Sequence, residues 1–186
     1  MSYRFNASKC LAVINGWPDL QASPQLIAWL YSIGVKVIEI HRHGDRNVDV
    51  GYNWGVKIAL ESEFNQFIFA DNDIMPGPMT GPWLTDRRDV VGVEYDTGVE
   101  GSFGDEHSVH AALWRTRRRV LEAVGAAPFA WQFDLLGLEI EQCPCSVFAR
   151  KAVAAGFSVG HAGKAFHAPR EKSALPMRMR LTNLPD

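Results

Sequence analysis

A chain of 186 residues that is 47% hydrophobic and 22% charged has the composition of a folded globular protein with a full core, which excludes the disordered and fibrous classes. Its formal net charge of −2 offers no general attraction to nucleic acid, so that class of partner is not indicated. No apolar run approaches membrane-spanning length, and Cys10, Cys143 and Cys145 are an odd count without secreted-scaffold spacing; the expectation is a cytoplasmic protein with reduced thiols.

Lys9 to Asn15 (KCLAVIN) is a short apolar run closed by the turn formers Asn15, Gly16, Pro18 and Asp19, and it reads as the first buried strand. Ser23 and Pro24 set an N-cap with proline at the first helical position. Leu26, Ile27, Leu30 and Ile33 then fall on one helical face until Gly34 supplies the stop. Val35 to Ile40 is alternating and β-branched, a second strand that ends in the polar segment His41 to Asn47. Strand, helix and strand in this order imply a right-handed parallel crossover. A second helix is expected over Val50 to Glu61 (VGYNWGVKIALE), followed by the stretch Phe64 to Pro76, FNQFIFADNDIMP. There Phe67, Ile68, Phe69 and Ala70 form a brief strand-like run that stops at Asp71, Asn72 and Asp73, and Pro76, Gly77 and Pro78 are expected to forbid regular structure beyond it.

The alternation predicts an α/β fold, a doubly wound and mostly parallel sheet with its ligand crevice at the carboxyl ends of the strands. Asn15, the segment His41 to Asn47, Asp71 and Asp73 would meet on that rim. Two acids one residue apart can share one hard cation and leave it room for diphosphate oxygens. They can equally well end a strand and start a turn.

Further along, Val90 to Tyr95 reads as a strand and Asp96 to Glu106, rich in glycine and acids, as a mobile loop. A strand over Val109 to Trp114 should lead into a helix through Arg117, Arg118 and Arg119, stopped by Gly125. The arginines read as a solvated face and as partners of nearby acids, with phosphate binding the lesser alternative. Val147 to Ala155 is a helix with Gly156 as its cap, Phe157 to Val159 a short strand, and His161 and His167 bracket a glycine-containing turn. From Arg170 the chain reads as an irregular arm, a place for packing on a second copy.

The FIFADND strand and acids, the helix opening GYNWG, and the ending RKAVAAGFSV followed by His167 together resemble the glycosyltransferase A-type fold, in particular inverting family 2 enzymes. The resemblance spans residues 9–169 and implies one glycosyltransferase A-like domain over 1–169, with 170–186 as the arm. It also implies transfer of a sugar from a nucleoside-diphosphate sugar to an acceptor hydroxyl, with Mn²⁺ or Mg²⁺. In that family an Asp-any-Asp motif binds the ion and through it the diphosphate, and Asp71, Asn72 and Asp73 match it. Gly156, Val159 and His167 match the family's closing glycine, strand and metal-binding histidine, so the implied metal ligands are Asp71, Asp73 and His167. Asn53 matches an asparagine near the nucleotide; Asn15, Asp45, Arg46 and Asp71 are the further expected donor contacts, with a turn stabilised by Asp45 the equal alternative for that segment.

The chain departs from the family at one place. The catalytic acid usually sits in a Glu-Asp pair shortly before an arginine like Arg150, where this chain has Cys143 and Pro144. The base that takes the acceptor's proton is expected first at Glu141, with Asp134 and Glu139 in reserve; the alternative reading makes all three ordinary surface acids. The departure keeps a second class in view, a nucleotide-sugar-binding protein without transfer activity. A metal-dependent phosphoryl-transfer enzyme is a third. A nucleotidyltransferase of related fold would carry a glycine-rich, lysine-containing loop after the first strand, and NGWPDLQASP is not one.

Overall fold

Strand β1 (Cys10–Gly16) is buried along its whole length, and its residues alternate between two cores. Leu11 and Val13 face one cluster; Cys10, Ala12 and Ile14 face the other. A strand covered on both faces must be apolar at every position, which is why KCLAVIN reads as a continuous run. The computed structural model describes residues 4–16, 21–41, 48–95, 109, 112–133 and 140–167.

Helix α1 (Pro24–Ser32) starts as its sequence predicts, with the Ser23 hydroxyl accepting from the Leu26 N–H at 3.4 Å and Gly34 reversing the chain at φ +77°. Strand β2 (Lys36–His41) pairs in parallel with one edge of β1. Helix α2 (Val48–Glu61) then carries the chain to β3 (Gln66–Asp71), parallel to the other edge. The remaining elements are β4 (Ile74–Pro76), α3 (Gly81–Thr85), β5 (Val90–Tyr95), β6 (Leu113–Arg117), α4 (Arg118–Val124), β7 (Gln132–Phe133), β8 (Ile140–Gln142), α5 (Pro144–Ala154) and β9 (Val159–His167).

Among the described residues the main sheet has seven strands in the order β2-β1-β3-β6-β5-β9-β4, and β7 and β8 pair apart from it. Strands β6 and β4 run against the other five. Helices α2, α4 and α5 cover one face through Tyr52, Val56, Val120, Leu121, Phe148 and Ala152. Helices α1 and α3 cover the other through Leu26, Leu30 and Trp83. The result is one mixed α/β domain of three layers. Stacked rings hold the first face together, Phe69 on Trp114 at 4.3 Å and Phe129 on Phe148 at 4.8 Å. No helix among the described residues is long and apolar enough to cross a membrane.

Three expectations are corrected. The prolines after the acids do not forbid regular structure: β4 runs to Pro76 at the sheet's edge, where a missing N–H costs no interior ladder bond, and α3 follows. The strand expected over Val109 to Trp114 begins at Leu113 and runs on to Arg117. It does so because Arg115, fully buried, donates to the carbonyls of Trp83 and Asp86 and can lie inside the sheet. The expected short strand and turn near the end are one nine-residue strand, β9, which contains both His161 and His167. Its glycine marks a bulge, not a turn: Gly92 and Glu94 of β5 lie opposite His161 and Lys164 of β9.

That bulge depends on Gly163, which sits at φ +70° with the carbonyl oxygen of Met79 only 2.6 Å from where a Cβ would lie. Gly163→Ala should therefore destabilise the domain by about 1–3 kcal/mol, read as a lower urea midpoint at unchanged slope. An unchanged midpoint would mean that the bulge is not under this constraint.

The arginines have structural partners. Arg118 donates to the carbonyls of Ala59, Leu60, Ser62 and Phe64, which places its charge at the carboxyl end of α2. Arg117 and Arg119 both reach Asp89, at 3.2 and 2.5 Å. Burial alone would raise the Asp89 pKa, but hydrogen bonds from Arg119 and Ser158 and the charge of Arg117 hold it below the usual value. The loop Asp96 to Glu106 and the arm from Arg170 lie outside the described residues.

Candidate functional site

The carboxyl ends of β2, β1 and β3 finish level with one another. Asn15 lies opposite Ile40 on one side and opposite Asp71 on the other, and Gly16 lies opposite His41. Beyond β3 the chain turns through Asn72 and Asp73 and returns as β4 against β9, with Ile74 opposite His167. Asp73 therefore immediately precedes the residue paired with His167, and the acid turn and the end of β9 are neighbours along the backbone.

Each rim residue is held by a different element. Asp71 closes β3 with its N–H on the Ala112 carbonyl at 2.8 Å, and its Oδ1 accepts from the Tyr52 hydroxyl at 2.5 Å. Tyr52 comes from α2, is 2% exposed, and packs its ring 5.1 Å from that of Phe129. A rigid buried phenol thus orients this carboxylate. The carbonyl of Asn72 accepts the Ser23 N–H at 2.7 Å, which ties the acid turn to the start of α1. Thr80 fixes the far side, accepting from the Gly77 N–H and donating to the Lys164 carbonyl of β9.

Asn15 is 3% exposed, yet neither its amide oxygen nor its amide nitrogen finds a hydrogen-bond partner among the described residues. Leaving such a group unsatisfied costs about 1–3 kcal/mol. Asn15 lies opposite Asp71 in the strand register.

The donor set bears on a divalent ion. Among the described residues no three His, Cys, Asp or Glu side chains form a ready-made metal cluster. Mg²⁺ commonly takes one or two carboxylates and completes its shell with water and substrate phosphates, and carboxylates of that kind stand here at Asp71 and at Asp73, the latter 8% exposed.

Asn53 is committed elsewhere. Its Nδ2 donates to the Phe129 carbonyl at 2.8 Å and its Oδ1 accepts the Phe129 N–H at 2.9 Å, a clamp that holds the Phe129 segment against α2. Asp45, Arg46, Asp134 and Glu139 lie outside the described residues. Glu141 lies in β8 between Ile140, opposite Phe133, and Gln142, opposite Gln132, so it is the extra residue of a bulge. Bulges of this kind are frequent beside active sites.

At the position where the family likeness breaks, Cys143 forms the N-cap of α5, with Pro144 at the first helical position. The Cys145 side chain, acting against burial and helped by the Ser146 hydroxyl and the backbone amides of both residues, brings the Cys143 thiol down to about 5. Burial pushes the Cys10 thiol the other way, up to about 12, with the Arg115 charge a smaller opposing influence. The sequence shows the cysteines but not this contrast, which depends on which of them starts a helix.

No family model matches the chain, and no curated protein matches it. Solved structures do. The structure titled A197 from STIV superposes with a TM-score of 0.54 at 14% identity, covering 86% of this chain and 82% of that one. The inositol-1-phosphate CTP transferase from T. maritima superposes with a TM-score of 0.51 at 10% identity, covering 88% and 91%. A glycosyltransferase involved in glycosylation of the major capsid of PBCV-1 is similar at a TM-score of 0.42 and 11% identity over 61% and 62%, too distant to carry weight. At these identities the likeness concerns architecture alone: the chain shares the mixed α/β fold of the first two structures.

Proposed function

We propose that the chain is a metal-dependent glycosyltransferase, moving a sugar from a nucleoside-diphosphate sugar to an acceptor hydroxyl. One observation carries this reading: the Asp71-Asn72-Asp73 turn leaves the carboxyl end of β3 beside the unsatisfied amide of Asn15. In α/β sheets that edge is where ligands bind.

Asp71 and Asp73, with His167 at the adjoining strand end, would hold a Mn²⁺ or Mg²⁺ ion, which supplies positive charge to the leaving diphosphate. Tyr52 keeps Asp71 turned for that task. Asn15 offers one N–H and one carbonyl to the base or ribose, and Asp45 and Arg46 are proposed on the same side. Asn53 serves this site indirectly, through its clamp on Phe129. Glu141 takes the proton from the attacking hydroxyl, with Asp134 and Glu139 as alternatives.

A second reading, nucleotidyl transfer, is favoured by the overall likeness to the CTP transferase. Against it, residues 15–24 (NGWPDLQASP) offer neither a glycine-rich loop nor a lysine to cradle a triphosphate. The two readings part on the released product. With Mn²⁺, a panel of sugar nucleotides and simple glycoside acceptors should yield free nucleoside diphosphate and no pyrophosphate. Pyrophosphate released from a nucleoside triphosphate and a sugar phosphate would establish the second reading instead.

A further inference from the structure

Two of the three cysteines stand at the start of α5, in the run Cys143-Pro144-Cys145-Ser146. Cys143 is the extended N-cap residue (φ −74°, ψ 158°), and Cys145 is the second residue of an eleven-residue helix. The Cys143 sulfur shares a 3.3 Å hydrogen bond with the Ser146 hydroxyl, and the Cys145 side chain is the largest influence lowering the Cys143 thiol. Both are partly exposed, whereas Cys10 is fully buried. We propose that Cys143 and Cys145 form a dithiol–disulfide couple, in which Cys143 attacks a low-molecular-weight disulfide and Cys145 resolves the product.

Three features of the fold support that division of labour. Pro144 has no N–H, so the first amides that α5 offers are those of Cys145 and Ser146, at the positive end of the helix whose N-cap is Cys143. A thiolate is stabilised there. Second, the extended backbone of Cys143 lies outside the helix, so linking it to Cys145 leaves the helical hydrogen bonds from Val147 onward in place. Third, the second thiol lies two residues from the first on the same helix start, so closing the bond needs no rearrangement of a distant segment.

The chemistry balances as two exchanges. The Cys143 thiolate attacks one sulfur of the disulfide RSSR; a bond forms between Cys143 and SR, the S–S bond of RSSR breaks, and RS⁻ leaves. Cys145 loses its proton to solvent and attacks the Cys143 sulfur, the Cys143–SR bond breaks, and the second RS⁻ leaves. Cys143 and Cys145 together lose two electrons and two protons, and RSSR becomes two RSH.

Oxidised glutathione is the probe, added to the full chain under native conditions, with free thiols then alkylated and the peptides mapped by mass spectrometry. The expected product is a Cys143–Cys145 disulfide, with Cys10 still a free thiol. Cys145→Ser should stop at one glutathione on Cys143. At pH 6 Cys143 in that variant should react about tenfold faster than Cys145 does in Cys143→Ser, because the N-cap position at the positive end of α5 favours its thiolate. Cys143→Ser puts a preferred N-cap residue at the helix start, so folding is retained for that comparison. The proposal is overturned if the wild type accumulates mixed disulfides without an internal bond, if both thiols stay free, or if Cys145 reacts first. None of these readouts depends on transfer activity.

Discussion

Changing Glu141 to glutamine should lower sugar transfer about 10²–10⁴-fold while leaving donor affinity nearly unchanged, the signature of a positioned base acting on the acceptor. Glutamine keeps the size of the side chain and removes only its ability to take a proton. Glu141 is the extra residue of the β7–β8 bulge, two positions before the N-cap of α5. Steady-state kinetics with the donor and acceptor varied separately would read the effect as a loss of kcat at constant donor KM. If Asp134→Asn or Glu139→Gln shows that pattern and Glu141→Gln does not, the base is reassigned and the fold reading stands. Full activity in all three variants would remove the carboxylate base from the proposal.

The parallel half of the sheet was legible because its strands are buried on both faces and its first helix is capped by unambiguous residues. KCLAVIN and FIFA are continuous apolar runs for that reason, and Ser23-Pro24 and Gly34 bracket α1. The later half hid behind local signals that tertiary pairing overrides. Pro76 looks like a strand breaker until β4 is placed at an edge, Arg115 looks like a strand end until its carbonyl partners are known, and Gly163 looks like a turn until it is seen as a bulge.

The site divides in the same way. The positions of Asn15 and Asp71 at strand ends, and of Asp73 in the turn that follows, were legible in the sequence. Their surroundings were not: the Tyr52 hydroxyl reaches Asp71 across 19 positions of sequence, and the Asn53 clamp on Phe129 spans 76. The approach of His167 to the acid turn depends on β4, an element that local sequence obscured.

The central claim, that this strand rim is a metal-assisted nucleotide site, is tested most directly at Asp73. Asparagine has the shape of aspartate but not its charge, so at this nearly buried position Asp73→Asn should keep the fold and remove one of few hard oxygen ligands. Isothermal titration of wild type and variant with a panel of nucleoside diphosphates, with and without Mn²⁺, measures the consequence. The account predicts that the wild type binds at least one nucleoside diphosphate more tightly with Mn²⁺ than without, and that Asp73→Asn abolishes this Mn²⁺-dependent gain while unfolding at a similar temperature. Equal affinity in wild type and variant, or wild-type binding indifferent to Mn²⁺, would contradict it.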